Sequence, residues 1–454
     1  MSKFMPHSSI AAKAAKAAKA AKAAKTLLST AFLSISLLAG CSNEGSTAND
    51  ATSATNNDDE AFLLEAQAIH ASALTLDAHA DIEMPGKPSA YVGADGLSKV
   101  APEKMVVGGL DAVVMSVAVS PGPRTLEGYA AAQKIAAAKL AVVKAMAADT
   151  TNNTVLALSP DALISAHEAG QSALLLGFQN ALILGTDASA IETFYADGVR
   201  LFALTHMGHN AFADSSRPLF NAATGQREAT AEHGGLSELG IAAIKKINAL
   251  GAIVDISQLS KQAALQAIEL STTPVVATHS NARALTQVSR NLSDEELDRI
   301  AETGGVVHVA PFRGYLFDTT NAQMDADIRA IRREANIDED YLYPFELYWE
   351  IDDAQVKKTF LTKVSALLGP ISLEDMLNHL DYIAKRIGVD HVGIGTDFNH
   401  GSGIPGYEDA SESLNVTIGL LKRGYSAEDI KKIWGGNFIR VWREAEAIAE
   451  ANPQ

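Results

Sequence analysis

The stretch LDAHAD, Leu76 to Asp81, carries an apolar lead-in and then Asp77, His79 and Asp81 at alternating positions. His79 and Asp81 stand two apart, so on a β-strand both side chains face the same way and can share one ligand. By the same period Asp77 is expected on that face one step deeper, supporting a ligand or the floor beneath it. Working outward, seven further apolar runs repeat the design: 109–119, 172–180, 199–206, 251–258, 273–280, 305–312 and 391–399. Helical patterns fall between several of them, at 125–148, 187–197, 238–250, 260–270, 293–303 and 373–388. Eight strands joined by helical crossovers predict a (β/α)8 TIM barrel. A doubly wound open sheet is the competing architecture. Its dinucleotide-binding form is weakened because no G-x-G-x-x-G loop follows the first strand. Residues 314–372, rich in Tyr and acidic groups, read as an insertion on the active-site side or the rim. Residues 409–450 read as helices packed outside the barrel.

Active sites of such barrels lie at the C-terminal ends of the strands. Here those ends carry His79 and Asp81, then Gln179, His206, Gln258, His279 and Asp397. One such residue means little, since a lone histidine is more often a satisfied core group. Six of eight strands ending this way places the groups around one mouth. Imidazole and carboxylate together suit a borderline or hard divalent cation. The formal charge of -17 and the lack of a basic block beyond the N-terminus argue against nucleic-acid binding.

The order and spacing of LDAHAD, RLFALTHMGHNAFADSS (200–216), GLSELG (235–240), GAIVDISQLS (251–260), PVVATHSNAR (274–283), SRNLSDEELD (289–298), DHVGIGTDF (390–398) and GGNFIRV (435–441) resemble the renal (membrane) dipeptidases. These are the M19 metallopeptidases of the amidohydrolase superfamily, and the resemblance covers roughly residues 60–445. It implies a (β/α)8 barrel with a binuclear zinc site that hydrolyses dipeptides, some members acting on β-lactams. In that pattern His79 and Asp81 bind the first zinc. Asp397 touches that zinc and takes the proton of the attacking water. His279 binds the second zinc, His206 stabilises the oxyanion, and Arg290, followed by Asn291, binds the substrate carboxylate. A surface ion pair of Arg290 with Asp294 or Glu295 is the competing assignment. A homodimer is a further family expectation.

Two positions depart from the pattern. The family's bridging glutamate is Gln179 here, and its fifth-strand histidine is Gln258. An amide is a weak, neutral donor to zinc. The family site balances two dications with three carboxylates and a hydroxide, whereas only Asp81 and Asp397 remain here. An unbalanced charge in a desolvated site costs on the order of several kcal/mol. One tight ion, zinc or another divalent metal, is therefore expected, with the second weak or absent. The expected activity is hydrolysis of dipeptides or short peptide-like amides. The alternatives are a related amidohydrolase acting on another amide or lactone, and a lipoprotein that binds a small ligand without catalysis.

The N-terminus adds an address. Residues 11–25 are five AAK triplets, and Leu27 to Leu38 form a twelve-residue apolar run that ends in LLAGC. A charged start, a short apolar core and small residues before Cys41 read as a lipoprotein signal over 1–40. Cys41 is the sole cysteine. It is expected to be lipidated and to anchor the chain to the bacterial cell envelope, in the outer membrane facing the periplasm. The polar segment 41–60 reads as a flexible tether, and 61–454 as the barrel domain. No membrane contact other than the anchor is expected.

Overall fold

The computed structural model describes residues 50–221, 226–319, 321–337, 351 and 353–452. The signal, Cys41 and the tether as far as residue 49 lie outside the described residues. A helix spans Asp50–Ser72, beginning within the segment expected to be a tether. The compact unit runs from Glu60 to Gln454. No helix among the described residues is long and apolar enough to cross a membrane.

Eight parallel strands follow one another in sheet order as they do in sequence. They are β1 (Leu76–Asp81), β2 (Ala112–Ala118), β3 (Ser172–Gln179), β4 (Val199–Ala203), β5 (Ile253–Asp255), β6 (Val276–Ala277), β7 (Val306–Val309) and β8 (Val392–Ile394). The chain past β8 returns to β1: Asp397 donates its N–H to His79 O and Asp81 donates to Phe398 O, each at 2.8 Å. That seam closes a (β/α)8 barrel. A short strand, Thr154–Leu156, pairs beside the start of β3.

The crossover helices start where the sequence places a cap. Ser237, Ser260 and Ser293 each accept a hydrogen bond from a backbone N–H in the first turn of Glu238–Ala249, Lys261–Leu270 and Asp294–Glu302. Ser293 with Glu296 forms a full capping box, which satisfies two otherwise orphaned donors.

The late strands are shorter than their apolar runs. Past β5, β6 and β8 the backbone gives its N–H groups to side chains instead of a ladder. Ser257 and Thr278 donate to Asp255, and Thr396 donates to Asp77. The regular ladder is interrupted there, and single backbone bonds resume beyond it, from Ser280 to His308 O and from Asp397 to His79 O.

The C-terminal helix Asn437–Ala451 does more than lie outside the barrel. Phe438, Val441 and Trp442 are buried in one cluster with Leu76, Ala112, Ala173, Leu201, Ile253, Val276 and Val306. Those are residues from the beginnings of seven strands, so this helix seals the barrel at the end opposite the mouth. Within 314–372, helices Ala322–Glu334 and Ala354–Leu368 are described, while 338–350 is not. The start of the insertion reaches the mouth through Tyr315, as described next.

Candidate active site

The strand that opens the site is irregular. The pairing of β1 with β2 slips between Asp77 and Ala80, so two residues of β1 face one of β2. Such a bulge re-aims side chains. Leu76 and Ala78 lie in the apolar floor cluster, whereas Ala80 packs with the outer core. His79 and Asp81 therefore turn inward after the bulge, and Asp77 does not share their face as a regular strand would require. Its carboxylate instead accepts from Thr396 N–H at 2.7 Å, Thr396 Oγ at 2.5 Å and His79 N–H at 3.1 Å. Burial pushes the Asp77 pKa up to about 7 against these bonds.

Asp255 repeats this device on the far side. It accepts from Thr278 Oγ at 2.5 Å, Thr278 N–H at 3.1 Å and Ser257 N–H at 2.9 Å. In each case the clamped threonine immediately precedes a functional side chain, His279 or Asp397. Gly395 permits the close approach this needs, because a Cβ there would fall 1.7 Å from Thr278 O.

His79, His279 and Asp397 offer ligand atoms that lie within 4.8 Å of one another, all buried. The two imidazoles stack with centroids 3.8 Å apart and planes at 24°. Both Nδ1 atoms face Thr278 Oγ, at 3.4 Å for His79 and 2.8 Å for His279. That hydroxyl already donates to Asp255, so it accepts from both Nδ1–H groups and each Nε2 keeps its lone pair. The lone pair of His79 Nε2 is buried without a hydrogen-bond partner, 3.9 Å from Asp397 Oδ1. Burial also drives the His79 pKa down to about 3, which keeps the ring neutral as metal ligation requires. His206 and His279 are likewise held well below the usual histidine range, first by burial.

Asp81 stands beside this group. Its Oδ2 takes a 2.8 Å bond from His400 Nδ1, and its Oδ1 is buried without a hydrogen-bond partner. Burial opposes its charge, yet Lys139 and His400 outweigh that and hold the carboxyl below its ordinary range. Burial also opposes charge on His400, but Asp81 and then Asp397 lift its pKa to about 9. The bare imidazole nitrogen of His79 beside Asp397 and the bare carboxylate oxygen of Asp81, two residues along the same strand, are donors of the kind a divalent cation takes.

The second cation position of the family pattern does not fit in the same way. Gln258 and Gln179 each bring Nε2 to His279 Nε2, at 3.1 and 3.3 Å. Gln258 Oε1 meets the guanidinium of Arg217. A guanidinium can only donate, so the oxygen of Gln258 must face it and the NH2 must face His279. Gln258 and Asp397 both sit in the left-handed region, at φ 67° and 56°. Strain of this sort in residues with side chains collects at functional sites.

Arg290 is buried and turns inward. It donates to Ser280 Oγ at 3.0 Å and His279 O at 2.6 Å, and lies over the Tyr315 ring at 5.4 Å. The competing surface pair does not form, for Asp294 pairs with Arg386 and Glu295 with Lys261. Asn291 donates to the carbonyls of Thr286 and Tyr315, which fixes the loop that carries Arg290. His206 lies edge-on to His400 at 5.1 Å, its Nδ1 buried without a hydrogen-bond partner.

His400 and Arg217 escaped the sequence reading. Both lie in loops, His400 shortly past β8 and Arg217 far along the connection after β4, where no period gives a side chain a direction. The one available signal is position: His400 follows Asp397 by three residues in TDFNH, and Arg217 closes the polar run ADSSR.

The profile of the membrane dipeptidase family, peptidase family M19, matches residues 63–454. The dipeptidase tcpJ of Claviceps purpurea is 29% identical over 295 residues, covering 65% of this chain and 56% of that protein. The dipeptidase aclJ of Aspergillus oryzae is 31% identical over 286 residues, covering 63% and 54%. The matched region thus spans little more than half the length of these relatives. Among solved structures, the probable dipeptidase PvdM of Pseudomonas aeruginosa superposes with a TM-score of 0.75 at 32% identity, covering 86% of this chain and 99% of that one.

Proposed function

The chain belongs to the membrane dipeptidase family, peptidase family M19, and on that premise we propose that it hydrolyses dipeptides or similar short peptide-like amides with one tightly held divalent cation, zinc being the first candidate. The observation that carries this reading is the pair of buried acceptors without hydrogen-bond partners, Asp81 Oδ1 and His79 Nε2, the latter 3.9 Å from Asp397 Oδ1. Buried lone pairs of this kind call for a partner, an ion or an ordered water, and acceptors on an imidazole and a carboxylate suit the ion.

When bound there, a divalent cation supplies Lewis acidity that lowers the pKa of a water molecule. The rest falls to the side chains. Asp397 accepts the proton of the attacking water and returns it to the leaving amine. His206 donates a hydrogen bond to the oxyanion as it develops. Arg290, held by Ser280 Oγ and His279 O, presents its fork to the C-terminal carboxylate of the substrate, which favours peptides with a free C-terminus. His400 holds Asp81 Oδ2, leaving Oδ1 to the cation. Lipidation at Cys41, with the enzyme tethered in the cell envelope, completes the reading and places it among short peptides outside the cytoplasm.

The test is a dipeptide panel on enzyme loaded with a defined metal, with Asp397→Asn alongside. The variant is expected to lose roughly a hundred- to ten-thousand-fold in kcat while keeping most of its metal. Full turnover by the variant would remove Asp397 from the mechanism. No hydrolysis of any dipeptide by metal-loaded wild type would favour a binding protein instead.

A further inference from the structure

The side of the site opposite Asp397 is built around a fixed cation. From Asp255 the hydrogen bonds run in one direction: Thr278 Oγ donates to Asp255, His279 Nδ1–H donates to Thr278 Oγ, Gln258 NH2 donates to His279 Nε2, and Arg217 donates to Gln258 Oε1. Every member is buried. A carboxylate stands at one end and a guanidinium at the other, and each polar atom between them has a partner of the right kind. Such a fully satisfied chain is hard to reverse, because turning any one group over strands its neighbour. Arg217 also donates from its other terminal nitrogen to Tyr315 OH at 3.4 Å, and Tyr315 in turn lies under Arg290.

We propose that Arg217 is the resident cation of this half of the site: it occupies, through Gln258, the electrostatic place of a second metal ion and closes His279 Nε2 to metal. Two effects act together. The amide NH2 that Arg217 aims at His279 uses the lone pair an ion would need. The guanidinium adds a positive charge that a second dication would have to approach, and no carboxylate stands at position 179 to balance it. Arg217 lies well past the end of β4 and still supplies the charge that matters most on this side. The inference rests on the metal-site reading above but not on the substrate, so it is tested by stoichiometry rather than turnover.

The experiment titrates zinc into metal-free protein by calorimetry, with elemental analysis after dialysis. Wild type is expected to retain one equivalent per chain. Gln179→Glu/Gln258→His rebuilds the family's ligands, and it is compared with the same pair combined with Arg217→Met. A second equivalent is expected to bind about tenfold or more tightly in the triple variant than in the double, because a like charge one side-chain amide away from His279 opposes the ion. Arg217→Lys in the double background keeps the charge without the fork, and it is expected to remain weak for the second ion. Thermal melts confirm that each variant is folded. If one of them unfolds, zinc titration of Arg217→Met and Arg217→Lys alone decides, with weak second-ion binding expected only in the former. Two equivalents surviving dialysis in wild type would overturn the proposal. Equal second-ion affinity with and without Arg217 would overturn it too. Either result is independent of which peptide, if any, is cleaved.

Discussion

His379 shows how one buried histidine can report on the loop that bears Arg290. Its Nδ1 accepts from Ala282 N–H at 3.1 Å, and its Nε2 faces Thr286 Oγ at 3.3 Å. Thr286 donates to Phe317 O, so it must accept from His379 Nε2–H. The ring is locked as the neutral Nε2–H tautomer, and burial drives its pKa down to about 3. The unfolded chain, with a pKa near 6.5, takes up a proton that the folded state refuses. Stability from this group is therefore complete above about pH 6.5 and falls as the pH drops toward 3. The loss between pH 7 and pH 5 is about 2 kcal/mol. Chemical denaturation of wild type and His379→Gln at both pH values checks this, the variant being expected to show the smaller dependence. Equal slopes would mean that other groups carry the acid sensitivity. Single residues were legible in the sequence to the extent that a strand fixed their direction. His79, Asp81 and Gln179 were found because they stand in strands, and His279 because it stands at the close of an apolar run. His400, Arg217 and the acceptor role of Thr278 were not, since each depends on a partner remote in sequence.

The regular ladders of β6 and β8 break off where a carboxylate takes the next backbone N–H. Asp77 and Asp255 each clamp a threonine of a neighbouring strand end, and the residue after that threonine is Asp397 or His279. The alternation of LDAHAD suggested that Asp77 shares a face with His79. The bulge breaks that period, and a bulge leaves no mark in an apolar alternation because both flanking residues, Ala78 and Ala80, are small. The clamp predicts the effect of Thr396→Val. The substitution keeps the shape but withdraws the 2.5 Å bond from buried Asp77, at a cost of about 1–3 kcal/mol. Since Asp397 is the next residue, metal affinity is expected to fall about 10- to 100-fold, as it does when a ligand's support is removed. A denaturant melt and a zinc titration on one preparation separate the two effects. Lost stability with unchanged affinity would make the clamp a matter of folding alone.

The barrel keeps its chemistry at one end and its closure at the other. Eight strands and their order could be read from recurring apolar runs, with helical patterns between several of them. The role of the last helix could not, because its apolar face looks like that of any crossover helix. In the fold, Phe438, Val441 and Trp442 fill the bottom among the first residues of the strands, with Trp442 fully buried. Trp442→Ala removes a large side chain from a site that cannot collapse around the gap, and it is expected to cost about 3–5 kcal/mol. The floor layer lies between this helix and the ligands, and the ligands are held by their own clamps, Asp77 with Thr396 and Asp255 with Thr278. The variant is therefore expected to unfold at lower denaturant while its folded fraction retains metal affinity and kcat/KM. Denaturation followed by tryptophan-independent circular dichroism, with metal titration well below the transition, tests both halves. A parallel loss of metal affinity would show that the bottom of the barrel and its mouth act as one unit, and that the clamps alone do not hold the site in place.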